Sequence, residues 1–298
     1  MNLCDPLTIK NIMGAFGLSF RKKYGQNFLT DKSAVESIAG FCAGDDTKTV
    51  LEIGPGFGAL THELAVRYEK VVALEIDRGL IPLLAYTLAD DKNVTVIEAD
   101  VMKADLASLL KEDFARGGVA VCANLPYYIT TPILLKLLSS GLPFESITVT
   151  VQAEVADRLC AAPGTPDYGS LTVYSSYYGR SEKLAKLPPS LFLPPPSVES
   201  AVVRIAMYRE KPCVPQDEEL FFGAVRGAFC QRRKTLANAL SSAFPDISKA
   251  EIAAAAERAG ISPSARGETL SYSDFVRLSD ELAAAAKAGA AGENGSGS

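Results

Sequence analysis

Val50-Leu51-Glu52-Ile53-Gly54-Pro55-Gly56-Phe57-Gly58 is the stretch that decides the fold. A short run of strand character ends in a turn with three glycines, and a helical pattern to about residue 67 follows. Strand, glycine-rich turn and helix in that order open a doubly wound α/β unit. Glycines at such a turn let the backbone approach a bound molecule closely. The spacing is G-x-G-x-G, which differs from the G-x-G-x-x-G of dinucleotide-binding turns.

Outward from this unit the alternation repeats. Strands are expected at 50–53, 71–75, 94–97, 119–123 and 147–151, with helices from about 78 and over 130–138. That rhythm predicts an α/β fold with a mainly parallel sheet, whose ligands bind beyond the carboxyl ends of the strands. Chemistry-bearing residues stand at those ends: Glu75 after the second strand, Asp100 after the third, Asn124 after the fourth. Towards the N-terminus the pattern predicts a helix at 6–16 and another, capped by Asp31 or Ser33, running to 39. After 153 the rhythm changes. A helix near 154–160 leads through a loop at 163–166 to two more strands, at 171–178 and 201–207, with a stiff proline-rich loop at 188–196 between them. From about 211 the chain reads as all-helical. Residues 288–298, rich in Gly, Ala and Ser, read as a disordered tail. The expected organisation is a catalytic domain at 1–208, a small helical domain at 209–287 and the tail.

Composition narrows the function. Hydrophobic residues make up 48% of 298 residues, enough for a sizeable core. No apolar run reaches the roughly 18 residues of a membrane span, and the N-terminus has no signal-peptide pattern. The six cysteines form no C-x-x-C pair and read as reduced thiols of a cytoplasmic protein. His62, the single histidine, has no partner for a metal site or a histidine-based triad. Net charge is −5, yet basic residues cluster locally. Arg21-Lys22-Lys23 is one group; Arg226, Arg232, Arg233 and Lys234 form another in an acid-free stretch. Such patches are candidates for RNA phosphate contacts.

The corner Asn124-Leu125-Pro126-Tyr127 suits a planar base bearing an amino group. The Asn amide oxygen accepts a hydrogen bond from the amine. Pro126 has no N–H, so the backbone there offers carbonyls. Tyr127 offers a ring for stacking.

With these residues in view, the chain resembles S-adenosylmethionine-dependent methyltransferases with a Rossmann-like class I sheet. More narrowly, it resembles the KsgA (RsmA) family of rRNA adenine dimethyltransferases, over about 6–282. Tyr24-Gly25-Gln26-Asn27-Phe28-Leu29 is similar to that family's G-Q-N-F-L segment. Phe192-Leu193-Pro194-Pro195-Pro196-Ser197-Val198-Glu199-Ser200 is similar to its F-x-P-x-P-x-V-x-S loop. Phe229-Cys230-Gln231-Arg232-Arg233-Lys234-Thr235 is similar to its F-x-Q-R-R-K-T segment.

The resemblance implies S-adenosylmethionine as cofactor. Gln26, Asn27 and Leu29 should cover it, Gly54 lie against its methionine part, Glu75 hold the ribose and Asp100 the adenine amine, with Gly56, Val101 and Asn124 also among the cofactor-binding residues. Asn124 and the Leu125 carbonyl should hold the target N6 amine, with Tyr127 and Phe192 on the two faces of its ring. Arg21, Lys22, Lys23, Arg232, Arg233 and Lys234 should contact RNA. The implied activity is dimethylation of two adjacent adenines near the 3′ end of small-subunit rRNA, within a precursor of the small ribosomal subunit, by a cytoplasmic monomer that needs no metal. A related large-subunit rRNA methyltransferase, an RNA-binding assembly factor and an NAD-dependent oxidoreductase are the alternatives. Ala153 stands where relatives often carry Lys, a departure that bears on one phosphate contact.

Overall fold

A computed structural model describes residues 1–21, 25–42 and 46–295, with 288–295 described by backbone only. Nine strands are present among these: β1 (Phe28–Leu29), β2 (Thr47–Ile53), β3 (Lys70–Glu75), β4 (Val94–Glu98), β5 (Gly118–Asn124), β6 (Phe144–Gln152), β7 (Gly179–Leu187), β8 (Phe192–Leu193) and β9 (Ser200–Met207). Seven of them form one sheet in the order β4-β3-β2-β5-β6-β9-β7. The first five in that order run parallel, and β9 pairs antiparallel with both β6 and β7. Parallel strands covered on both faces read as continuous apolar runs. The buried run Val119–Ala123 and the buried Val50, Leu51 and Ile53 are of that kind.

The chain leaves β2 towards β3 and β4, then returns to place β5 on the other side of β2. This reversal opens a crevice beyond the ends of β2 and β5. Side chains cap the surrounding helices: Asp5 accepts from the Thr8 amide and Asp31 from the Ala34 amide.

The contacts divide the chain into two units. One comprises Met1–Asp157 and Gly179–Arg209; the other comprises 158–178 and the chain from Glu210 on. Residues 158–178 thus group, in this second unit, with the helical segments from Glu210 on. Within it Phe221, Val225, Leu236, Leu240 and Phe275 form the core, and Ser248 and Glu251 make a capping box.

One expectation needs correction. The stretch 171–178 is not a strand: Ser170–Tyr178 is an α-helix. Its Thr, Val and Tyr residues favour strands intrinsically. The packing decides otherwise. Tyr174, Tyr177 and Tyr178, at helical i, i+3 and i+4 spacing, all meet Phe222, with Tyr174 stacked on it at 4.2 Å. The hydroxyls that a helix interior leaves competing with the backbone are satisfied too. Thr172 donates to the Arg158 carbonyl and Ser175 to that of Thr172. The strand in this region is β7, at the sheet edge, whose Arg180, Glu182 and Lys186 hide it from an apolar reading and suit an exposed edge. The last helix, Tyr272–Gly295, extends into the stretch read as the tail.

Candidate functional site

The crevice beyond β2 and β5 is a cavity within the first unit. It is bordered by the segment from Gly25 to Leu29, the glycine turn, the ends of β3, β4 and β5, and the corner from Asn124 to Ile129. Gln26, Asn27, Leu29, Gly54, Gly56, Glu75, Asp100, Val101, Asn124, Leu125, Pro126 and Tyr127 all border it.

The glycine turn is conformationally demanding. Gly54 has φ +72° and Gly56 φ +58°, left-handed values that other residues adopt at a cost. A Cβ on Gly56 would lie 2.9 Å from the Phe28 ring, so this close packing needs hydrogen there.

Glu75 is 5% exposed at the end of β3. Its Oε1 accepts from the Asp77 amide at 2.7 Å and its Oε2 from the Gly56 amide at 3.3 Å. Burial raises its pKa from the ordinary carboxylate value, and these backbone donors oppose the rise. Asp100 uses Oδ1 to accept from the Met102 amide at 2.9 Å.

Arg21, expected to contact RNA, is ion-paired. Its Nη1 donates to Asp77 Oδ1 at 2.8 Å, and Asp77 is buried. Gln26 joins the pair: its Nε2 donates to Asp77 Oδ2 at 3.2 Å and its Oε1 accepts from the Arg21 amide at 2.9 Å. A buried carboxylate needs such partners, and Asp77 finds them in Arg21 and Gln26. Lys22 and Lys23 lie outside the described residues.

At the corner after β5, Asn124 Nδ2 donates to the Asn27 carbonyl at 2.8 Å. A carbonyl only accepts, so the amide nitrogen must face it and Oδ1 is left as an acceptor. The Pro126 carbonyl is taken by the Ile129 amide and Thr130 Oγ1, both at 3.1 Å. The Leu125 carbonyl accepts no hydrogen bond among the described residues. Tyr127 shares a hydrogen bond with Ser200, and burial raises its phenol pKa above the ordinary value.

Phe192, expected across the target from Tyr127, is elsewhere. It is 3% exposed in a cluster with Leu29, Val35 and Leu60, and it does not border the cavity. β8 pairs antiparallel with β1, matching Phe192 with Leu29 and Leu193 with Phe28. Alternation along the strand then puts Phe192 in one core cluster and Leu193 in the other.

In the helical unit the expected RNA cluster splits. Arg232 Nη2 donates to the Pro166 and Tyr168 carbonyls at 3.0 and 2.9 Å and pairs with Glu268 at 3.6 Å. It ties the 163–168 loop to its own unit. Arg233 and Lys234 are exposed and have no ion-pair partner among the described residues.

Two polar bordering residues, Glu52 and Tyr128, escaped the sequence reading. Glu52 is 1% exposed, and its Oε2 has no hydrogen-bond partner among the described residues. Burial, with a smaller contribution from nearby Glu75, pushes its pKa up to about 8. An acid inside an apolar doubly covered strand was the available signal. Tyr128 is 61% exposed beside Tyr127; only its adjacency to the corner hinted at it.

The donor set fits S-adenosylmethionine: an acidic acceptor at the end of β3, another acid after β4, a glycine cradle at β2 and apolar walls from Val101, Leu29 and Ile133. His62 instead binds Asp91 through Nδ1, away from the cavity lining.

The comparisons agree. The model of the ribosomal RNA adenine dimethylase family matches residues 17–284. A "Ribosomal RNA small subunit methyltransferase A" from Geobacillus thermodenitrificans is 46% identical over 284 residues, covering 94% of this chain and 97% of that one. A protein of the same name from Alkaliphilus metalliredigens is 44% identical, covering 95% and 98%. Among solved structures, the 23S rRNA methyltransferase ErmE is 28% identical with a TM-score of 0.65, covering 86% of this chain and 100% of that one. A dimethyladenosine transferase from Plasmodium falciparum, 23% identical with a TM-score of 0.69 and covering 84% and 95%, shows the same fold. Sequence, cavity and relatives converge, and the chain belongs to the ribosomal RNA adenine dimethylase family.

Proposed function

We propose that this protein is an S-adenosylmethionine-dependent dimethyltransferase acting on the N6 amines of adenines in small-subunit rRNA. The orientation of Asn124 carries the reading: with Nδ2 tied to Asn27, Oδ1 remains an acceptor at the cavity. The small-subunit assignment is supported by relatives at 44–46% identity against 28% for the large-subunit enzyme.

Glu75, Asp100, Val101 and the turn from Gly54 to Gly56 hold the cofactor. When bound, S-adenosylmethionine supplies an electrophilic methyl on sulfur. The N6 lone pair of adenine is delocalised into the ring and is a poor nucleophile. Asn124 Oδ1 and the Leu125 carbonyl accept its two N–H bonds and favour a more tetrahedral nitrogen. Tyr127 stacks on the ring. Catalysis is then positioning and electrostatics, which needs no histidine. The proton leaves to water.

The finer reading is that two adjacent adenines near the 3′ end each receive two methyl groups. The substrate is a precursor of the small ribosomal subunit, and the enzyme works as a cytoplasmic monomer. Among the described residues no helix is long and apolar enough to cross a membrane. The test is to incubate the protein with unmethylated small subunits and labelled cofactor, then map the methylated bases. N6,N6-dimethyladenine at two neighbouring positions is the expected result. Label confined to large-subunit RNA, or none in RNA, would overturn it.

A further inference from the structure

Four aromatic residues border the cavity, and one of them is unaccounted for. Phe28 and Phe57 are buried in the core, and Tyr127 is held by Ser200. Tyr128 is 61% exposed. Among the described residues no other ring packs on it and its hydroxyl has no partner. Yet its ring is not loose. A Cβ on Gly25 would lie 3.3 and 3.4 Å from its Cδ1 and Cε1, and 3.3 Å from Pro126 Cβ. Gly25, at φ +57°, thus gives one ring edge a seat against backbone. The result is an aromatic side chain at the cavity border, braced on one side and open to water on the other.

We propose that Tyr128 is the platform on which the nucleotide next to the target adenine stacks. The proposal rests on the methyltransferase reading of this cavity. Drawing one base out of a single strand leaves a neighbour with a bare face. An exposed ring one residue from Tyr127 covers that face as the target enters. Stacking tolerates any base, so Tyr128 sets a requirement for an unpaired neighbour rather than for a particular sequence.

The experiment compares Tyr128→Phe, Tyr128→Leu and Tyr128→Ala in the full-length protein. It measures KM and kcat on unmethylated small subunits, with cofactor affinity by titration. Phe keeps the π-face, Leu keeps apolar bulk only, and Ala keeps neither. The expected result is near wild-type behaviour for Phe and a rise in KM of about 5- to 100-fold for Leu and Ala. Cofactor affinity stays constant throughout, and kcat changes less than KM. Leu matching Phe would make Tyr128 a simple apolar cover and overturn the proposal. So would a loss of cofactor affinity in Ala, which marks a lid over the cofactor, or wild-type KM in Ala. A wild-type protein that transfers no methyl to these subunits would sink the functional reading and this proposal with it.

Discussion

Asn124 Nδ2 reaches the Asn27 carbonyl at 2.8 Å, across 97 residues of sequence. The segment at 25–29 therefore sets the direction of the Asn124 amide, the group that the proposed function aims at the target amine. Asn124→Ala should lower single-turnover methyl transfer about 100-fold or more, a loss typical of a group aimed at the reacting atom. RNA affinity measured separately should hardly change, because the lost bond acts on one amine. Near wild-type turnover would remove Asn124 from the mechanism.

Glu75 and Gly54 test cofactor placement. Glu75→Ala should weaken S-adenosylmethionine binding by about 1–3 kcal/mol, the range for losing a charged hydrogen-bond partner. Gly54→Val should abolish binding, since φ +72° is strained for a β-branched residue. Titration calorimetry reads both, and unchanged affinity in the two variants would refute the placement.

Glu52 predicts a pH dependence of stability. Its folded pKa, about 8, lies above the ordinary carboxylate value. Between roughly pH 4.5 and 8 the folded state holds a proton that the unfolded state has released. Stability from this group is full below that window and falls as pH rises through it, by about 1.4 kcal/mol per pH unit at most. Glu52→Gln should flatten the fall. Denaturant melts from pH 5 to 8.5 measure it; parallel pH profiles in the two proteins would contradict the assignment.

Arg232 should separate from Arg233 and Lys234. Replacing Arg233 and Lys234 by Gln should reduce the slope of log RNA affinity against log salt by about 1.4–1.8, as two phosphate contacts are lost. The melting temperature should hold. Arg232→Gln should instead destabilise the protein by about 1 kcal/mol through its bonds to the 166 and 168 carbonyls. The opposite pattern would return Arg232 to the RNA surface.

The sheet was legible because parallel strands buried on both faces leave uninterrupted apolar runs, and because its ligand-type residues stand where those runs stop. The helix start at 31–33 was legible for a similarly local reason: a side chain, that of Asp31, caps the backbone next to it. The 170–178 helix was not. Its residue types favour strands, and only the face that Phe222 presents makes the helical spacing of its tyrosines pay off.

By itself the sequence determined the α/β class, the glycine turn, and which strand ends carry Glu75, Asp100 and Asn124. These follow from local patterns of burial and backbone freedom. Tertiary structure alone decided what each polar side chain is free to do. Arg21 is drawn to Asp77, Arg232 is committed to loop carbonyls, and Phe192 is turned into the core by its pairing with β1. A charge or ring takes the partner that desolvation makes most costly to leave unmatched, and that partner lies far away along the chain.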